Sequence, residues 1–334
     1  DSGIVVLNQT PFYAESGGQQ GDLGSLTSAN GSYQVMGTKK FGSHFGHEGK
    51  LGMGELKVGD TVNARVEGPR RQATALNHSA THLLHAALRT VLGDHVTQKG
   101  SLVTHERTRF DFSHPQPVIS EELIAIEAVV NREIRQNEVV ETRVMPIEEA
   151  KAAGAMALFG EKYDDEVRVL SMGEFSVELC GGTHVARTGD IGLFKILSEG
   201  GVASGVRRIE AVTGEGALEQ VVALEATLDQ AAALLKTGAD SIVSKIEQMT
   251  ERLKVTEREV DALKMKLATQ AGGDLLDDVV DVCGVQCLVA SLDGQDPKTL
   301  RDTLDRVKNR LSQGVVVLAT GRDEKVNLIA GVTD

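Results

Sequence analysis

Asn77-His78-Ser79-Ala80-Thr81-His82-Leu83-Leu84-His85 is the stretch on which the reading of this chain turns. It lies inside a longer helical pattern from Arg70 to Leu92, where Ala73, Leu76, Ala80, Leu83, Leu84, Ala87 and Val91 recur at spacings that cover one broad side. Gly93-Asp94 stops the pattern. His78 and His82 are four apart, so on a helix both imidazoles leave one face and form a two-toothed clamp for a metal. His85 falls close to the same line, so spacing alone allows three histidine ligands. An H-x-x-x-H pair taken by itself is equally well read as buried histidines satisfied by hydrogen bonds.

A second segment tips that balance. Cys180-Gly181-Gly182-Thr183-His184 places a thiol and an imidazole around two glycines, a sequence that bends tightly and lets both side chains converge. Two histidines from a helix with a cysteine and a histidine from a loop form a borderline-soft nitrogen and sulfur set. Such a set suits zinc better than magnesium or calcium. Four protein ligands favour a structural ion; the glycine turn and the polar Thr81 favour a cleft. H-E-x-x-H is absent, which argues against a zinc peptidase.

Three weaker stretches accompany the metal set. Phe12-Tyr13-Ala14-Glu15-Ser16-Gly17-Gly18-Gln19 reads as a tight turn with packed aromatics or as a cleft wall. Gln98 lies in a polar loop after the histidine helix. Gly200-Gly201-Val202-Ala203-Ser204-Gly205-Val206-Arg207-Arg208 reads as a surface loop, or as a glycine loop offering two guanidiniums to phosphate. It lacks the G-K-[ST] ending of a P-loop. His44 and His47 have no evident partner cluster.

Outward from these motifs the chain divides into four parts of an α+β protein. Residues 1–68 read as short strands between glycine-rich turns, a small β-barrel-like subdomain. Residues 69–215 form a mixed α/β domain carrying the zinc set, with a helix from Ser120, the expected N-cap, to Gln136 and a short helix from Ile147 to Ala153. Over residues 216–270 glycine nearly vanishes and Leu218, Val221, Leu228 and Leu235, then Ile246, Met249, Leu253, Val260, Leu263 and Leu267, keep a heptad rhythm. Thr237-Gly238-Ala239-Asp240-Ser241 interrupts it, so a long antiparallel helical hairpin is expected; one unbroken coiled coil between two chains is the competitor. Residues 271–334 read as a small α/β domain that stops without a closing element. In it a helix opens at Asp296-Pro297, and two strands are joined by Gly321-Arg322-Asp323-Glu324.

The balance of 35 basic and 48 acidic residues, a net charge of −13, excludes a broad nonspecific grip on nucleic acid and leaves room only for a local patch. No apolar run approaches the roughly 20 residues that span a bilayer, and no secretory leader is visible. Three cysteines, Cys180, Cys283 and Cys287, make no disulfide framework and fit a reducing, cytoplasmic setting. The missing initiator methionine points to a piece of a longer chain.

Thr10-Pro11-Phe12-Tyr13-Ala14-Glu15-Ser16-Gly17-Gly18-Gln19, Asn77-His78-Ser79-Ala80-Thr81-His82 and Cys180-Gly181-Gly182-Thr183-His184, in that order, resemble the editing domain of the alanyl-tRNA synthetase family. Gly205-Val206-Arg207-Arg208-Ile209-Glu210-Ala211-Val212 resembles the end of that domain, and the remainder resembles the family's C-terminal domain. The resemblance implies zinc on His78, His82, Cys180 and His184, with His85 a neighbour, and a pocket lined by Thr81 and Gln98. It implies hydrolysis of seryl- and glycyl-tRNA(Ala), with phosphate met by Arg207 or Arg208. The C-terminal region would then help hold tRNA and assist self-association into a homo-oligomer. The resemblance starts after the family's aminoacylation core, so ATP binding and tRNA charging are not expected of these residues. The competing reading is a non-catalytic tRNA-binding and dimerisation piece with a structural zinc.

Overall fold

Alanine and leucine, with no glycine or proline after the first two residues, carry helix α1 from Gly68 to Leu92; Pro69 lies in the first turn, where a missing N–H costs nothing. Ala80, Leu83, Leu84, Ala87 and Leu88 on this helix are fully buried. The computed structural model describes residues 2–152, 154–156, 165–292, 295, 297–322 and 325–333. Ala153, Asp296 and the Asp323-Glu324 connection, all expected at element ends, lie outside those residues. Two compact units divide the chain, Asp1–Ala226 and Thr227–Asp334.

The first unit opens with β1 (Ser2–Val6), β2 (Gly24–Thr27), β3 (Gly31–Phe41), β4 (His44–Gly54) and β5 (Asn63–Val66). They pair antiparallel in the order β1-β4-β3-β2-β5. The expected barrel is therefore not formed: β1 and β5 are the two free edges of an open sheet. The central strands run 11 residues each, but the edges have only five and four, too short to meet around a closed cylinder. Phe12, Leu26, Tyr33 and Val35 fill a small core on one face without closure.

After α1 come β6 (Gln98–Val103), β7 (Thr108–Ser113), α2 (Ser120–Gln136), β8 (Val140–Pro146), α3 (Ile147–Ala152), β9 (Glu166–Met172) and β10 (Ser176–Leu179). β11 (Phe194–Ala203) and β12 (Val206–Thr213) follow, then α4 (Gly214–Leu235). One antiparallel sheet has the order β11-β12-β7-β6 and a smaller one β10-β9-β8. Phe110, Phe112, Ile209 and Phe194 from the larger sheet, with Ile126, Val130 and Ile134 from α2, bury the apolar side of α1. The start of α2 differs from expectation. Ile119 donates its N–H to the Glu122 carboxylate at 3.0 Å, which makes Ser120 the first helical residue rather than the cap.

The second unit holds α5 (Ile242–Asp274), β13 (Val280–Val282), β14 (Val285–Ser291), α6 (Pro297–Lys308), β15 (Gly314–Arg322) and β16 (Lys325–Val332). β14 and β15 are parallel and joined through α6; β13 and β16 pair antiparallel on the outside. Leu300, Leu304 and Val307 of α6 pack with Leu288, Val316 and Leu318 of the sheet. The break between α4 and α5 falls where expected, with Lys236 at φ 53°. Leu228, Ile246, Met249, Leu253, Leu263 and Leu267 nevertheless remain exposed. Among the described residues, no helix is long and apolar enough to cross a membrane.

Candidate metal centre

The buried face of α1 carries His78, Ser79, His82 and His85, and the turn after β10 carries Cys180 and His184. His78, His82, Cys180 and His184 each offer one donor atom, and these atoms lie within 4.8 Å of one another. Cys180 Sγ sits 3.5 Å from His78 Nε2 and 3.2 Å from His184 Nε2, and accepts the Gly182 N–H. His82 Nε2 is buried without a hydrogen-bond partner. An orphaned imidazole nitrogen beside two other imidazoles and a thiol is what a tetrahedral zinc ion would complete, so the donor set fits the metal.

Each imidazole is held through its other nitrogen. His78 Nδ1–H donates to Gln19 Oε1 at 2.7 Å, and His82 Nδ1–H donates to Glu178 at 2.6 Å. Ser79 Oγ lies 3.2 Å from His184 Nδ1 and accepts the Val185 N–H. His85 does not join the donor group: its Nδ1–H goes to the second oxygen of Glu178 at 2.8 Å, and its ring lies against Phe110. Such outer partners fix which nitrogen faces a metal.

The charges follow from burial and proximity. Burial alone would raise Cys180, but His82, His78 and the hydrogen bonds from His184 and His78 hold the thiol well below its ordinary range. Burial would lower His82, yet Glu178 and the Cys180 sulfur raise it to about 10. Burial would raise Glu178, and His82 with the two imidazole N–H donors lowers it to about 2. Burial lowers His184 to about 3. The raised His82 and the lowered Cys180 couple the binding of a cation at this set to the loss of protons from it.

Three of the four donors, on His78, His82 and Cys180, line a cavity of about 480 Å³. Thr81 and Gln98 line it, as do Tyr13, Lys40, Phe45 and Gly181. Thr81 Oγ1 donates to Asn77 O at 2.7 Å and pairs with Thr108 Oγ1 at 2.6 Å, leaving it one lone pair. Gln98 donates from Nε2 to Ser101 Oγ at 3.3 Å. The segment from Pro11 to Gly17 forms one side of this cavity, in line with the cleft-wall reading.

Arg207 and Arg208 lie elsewhere. They belong to β12, not to a loop, and neither lines the cavity. Arg207 forks onto Glu199 at 2.6 and 2.7 Å, and Arg208 onto Asp111 at 2.7 and 2.8 Å. His47 is a packing residue, fully buried between Val5 O and Thr10 Oγ1. Sequence reasoning missed Glu178, Ser79, Lys40 and Phe45, and singled out Gln19 only as the end of a loop. Their signal is distance in space, and nothing in their spacing announces it.

Residues 167–210 match the family described as threonyl and alanyl tRNA synthetase second additional domain, and residues 1–70 match the class II (A) tRNA synthetases. The chain is 58% identical over 333 residues to the alanine–tRNA ligase of Halorhodospira halophila (strain DSM 244 / SL1), covering 100% of this chain. It is 58% identical over 333 residues to that of Stenotrophomonas maltophilia (strain K279a), and 56% over 330 residues to that of Shewanella amazonensis (strain ATCC BAA-1098 / SB2B), covering 99% of this chain in both cases. It spans 38% of the length of each of these relatives.

Proposed function

Because the chain belongs to the alanine–tRNA ligase family, we propose that its metal cavity hydrolyses the ester joining serine or glycine to tRNA(Ala). One observation carries this reading: of the four converging donors, His78, His82 and Cys180 line a cavity whose wall also includes Lys40 and the rings of Tyr13 and Phe45. In an acidic chain, Lys40 is a local cation without a carboxylate partner among the described residues. With Tyr13 and Phe45 it offers charge for phosphate and flat apolar surface for an unpaired base.

Bound to His78, His82, Cys180 and His184, zinc would supply Lewis acidity toward the ester carbonyl or a grip on the substrate amino group. The chain's own residues do the rest. The remaining lone pair of Thr81 Oγ1 accepts a hydrogen bond from a seryl hydroxyl, a contact that alanine cannot make. Glycine lacks that hydroxyl as well, so Thr81 does not select it through the same contact. The amide oxygen of Gln98 is an acceptor that orients water or the amino group. A thiolate ligand survives in a reducing compartment such as the cytoplasm. The exposed stripe of α5 supports self-association, and Arg207 and Arg208 meet phosphate only by giving up Glu199 and Asp111.

The test measures zinc content and seryl-tRNA(Ala) deacylation on one preparation. The metal-loaded chain is expected to release serine and spare alanine, and Cys180→Ala to lose zinc and deacylation together. A zinc-replete chain that leaves seryl-tRNA intact would make the ion structural and sink the proposal.

A further inference from the structure

The residue that ties the metal centre together comes from a part of the chain with no metal ligand of its own. Gln19 lies between β1 and β2, 59 residues before His78 and 164 before Thr183. Its side chain is 1% exposed. Its Oε1 accepts two hydrogen bonds, from His78 Nδ1–H at 2.7 Å and from the Thr183 N–H at 2.9 Å. Its Nε2 donates to Thr183 Oγ1 at 2.8 Å. The Thr183 N–H can only donate, which settles the orientation of the amide, and an amide oxygen can only accept, which puts the proton of His78 on Nδ1. The Nε2 lone pair of His78 is thereby left for a metal.

The loop is built to deliver this amide. Gly17 and Gly18 have φ of 56° and 83°, and the loop is stitched to β6 by Val103 N–H to Gly18 O and Gln20 N–H to Val103 O. On the other side Gly182 leaves the space that Gln19 Oε1 and the His78 ring occupy.

We propose that Gln19 is a positioning residue of the metal centre: its amide fixes the tautomer of the ligand His78 and latches the Cys180–His184 turn to α1. The assignment rests on the zinc reading of the four donors. The β-rich segment thus takes part in metal binding as well as walling the cavity. Without the latch, His78 is free to protonate on Nε2 and Thr183 loses both its partners, so the turn carrying Cys180 and His184 drifts from the helix.

The experiment compares the full chain with Gln19→Leu and Gln19→Glu. Zinc affinity is read by competition with a chromophoric chelator, and ligand geometry by the visible spectrum of the cobalt(II)-substituted protein, both without tRNA. Gln19→Leu keeps the volume and removes every hydrogen bond; it is expected to weaken zinc by about 10- to 100-fold and to shift the cobalt spectrum. Gln19→Glu keeps the acceptor for His78 and Thr183, and is expected to keep wild-type affinity and spectrum. A folded Gln19→Leu protein with unchanged affinity and spectrum overturns the proposal. Should that variant fail to fold, Gln19→Glu decides: loss of affinity with the acceptor retained overturns it equally. A wild-type chain that binds zinc tightly but does not deacylate seryl-tRNA removes the catalytic reading and leaves the assignment of Gln19 standing.

Discussion

Glu178 carries two imidazoles at once, with one carboxylate oxygen on His82 and the other on His85, all three side chains buried. Its folded carboxyl, at about 2, lies below the ordinary 4.5. A lowered carboxyl stabilises the fold at pH above its unfolded value, and the contribution drains away as pH falls from 4.5 toward 2. His82 acts at the other end: raised to about 10 from 6.5, it stabilises the metal-free chain below pH 6.5 and loses that contribution as pH climbs through 10. Removing one member of a buried charged pair leaves the other uncompensated, a cost of about 3 kcal/mol. Glu178→Gln should therefore unfold at lower urea than wild type at pH 6, with a gap that shrinks as pH falls from 4.5 toward 2. A gap independent of pH in that window would mean that the carboxylate is not charged in the folded metal-free chain.

The turn between β10 and β11 shows at element scale what spacing can reveal and what it cannot. His78 and His82 at helical spacing, and Cys180 and His184 around two glycines, were readable because a metal needs donors in short, repeated offsets. Gln19 and Glu178 were not, because a hydrogen-bonding partner far away in sequence leaves no periodic mark. For the same reason His85 was ambiguous by spacing: its distance from the donor group is set by Glu178 and Phe110. The long helices and most strands were legible from apolar period, but β4 was not. Its glycines imitate a turn, while in the sheet they permit close approach, as where a Cβ at Gly49 would overlap Gln34 O. Barrel closure depends on edge lengths that short apolar runs do not encode. Gly182 is the turn's fixed point. A Cβ there would overlap His78 Cε1, whereas one at Gly181 would meet nothing within 4 Å. His78 is anchored in α1 and by Gln19, so the turn has to retreat and carry Cys180 and His184 with it. Gly182→Ala should lower zinc affinity by about tenfold or more, with Gly181→Ala close to wild type in the same chelator competition. Equal affinities for the two would place the turn outside the metal centre.

At the scale of the molecule, every candidate ligand among the described residues, and every residue that orients one, belongs to Asp1–Ala226, while Thr227–Asp334 has its own core of Leu288, Leu300, Val307, Val316 and Leu318. Two cores separately filled give two cooperative transitions, and an ion that binds only one folded unit stabilises that one alone. Zinc at 100 times its dissociation constant adds about 2.7 kcal/mol to the unit it binds. For a unit of about 150–250 residues, each kcal/mol moves the midpoint by about 2–4 °C, so the shift should be about 5–10 °C. Calorimetry of the full chain should then show two endotherms, with zinc raising one and leaving the other in place. Cys180→Ala should abolish the shift while keeping both transitions, because the apolar packing of α1 against Phe110, Phe112 and Ile126 does not depend on the thiol. A single endotherm that moves as a whole with zinc would show the two cores to be one cooperative body. The metal would then stabilise Thr227–Asp334 as directly as the unit that carries the four donors, and the two cores would not be independent in the physical sense that separate filling implies.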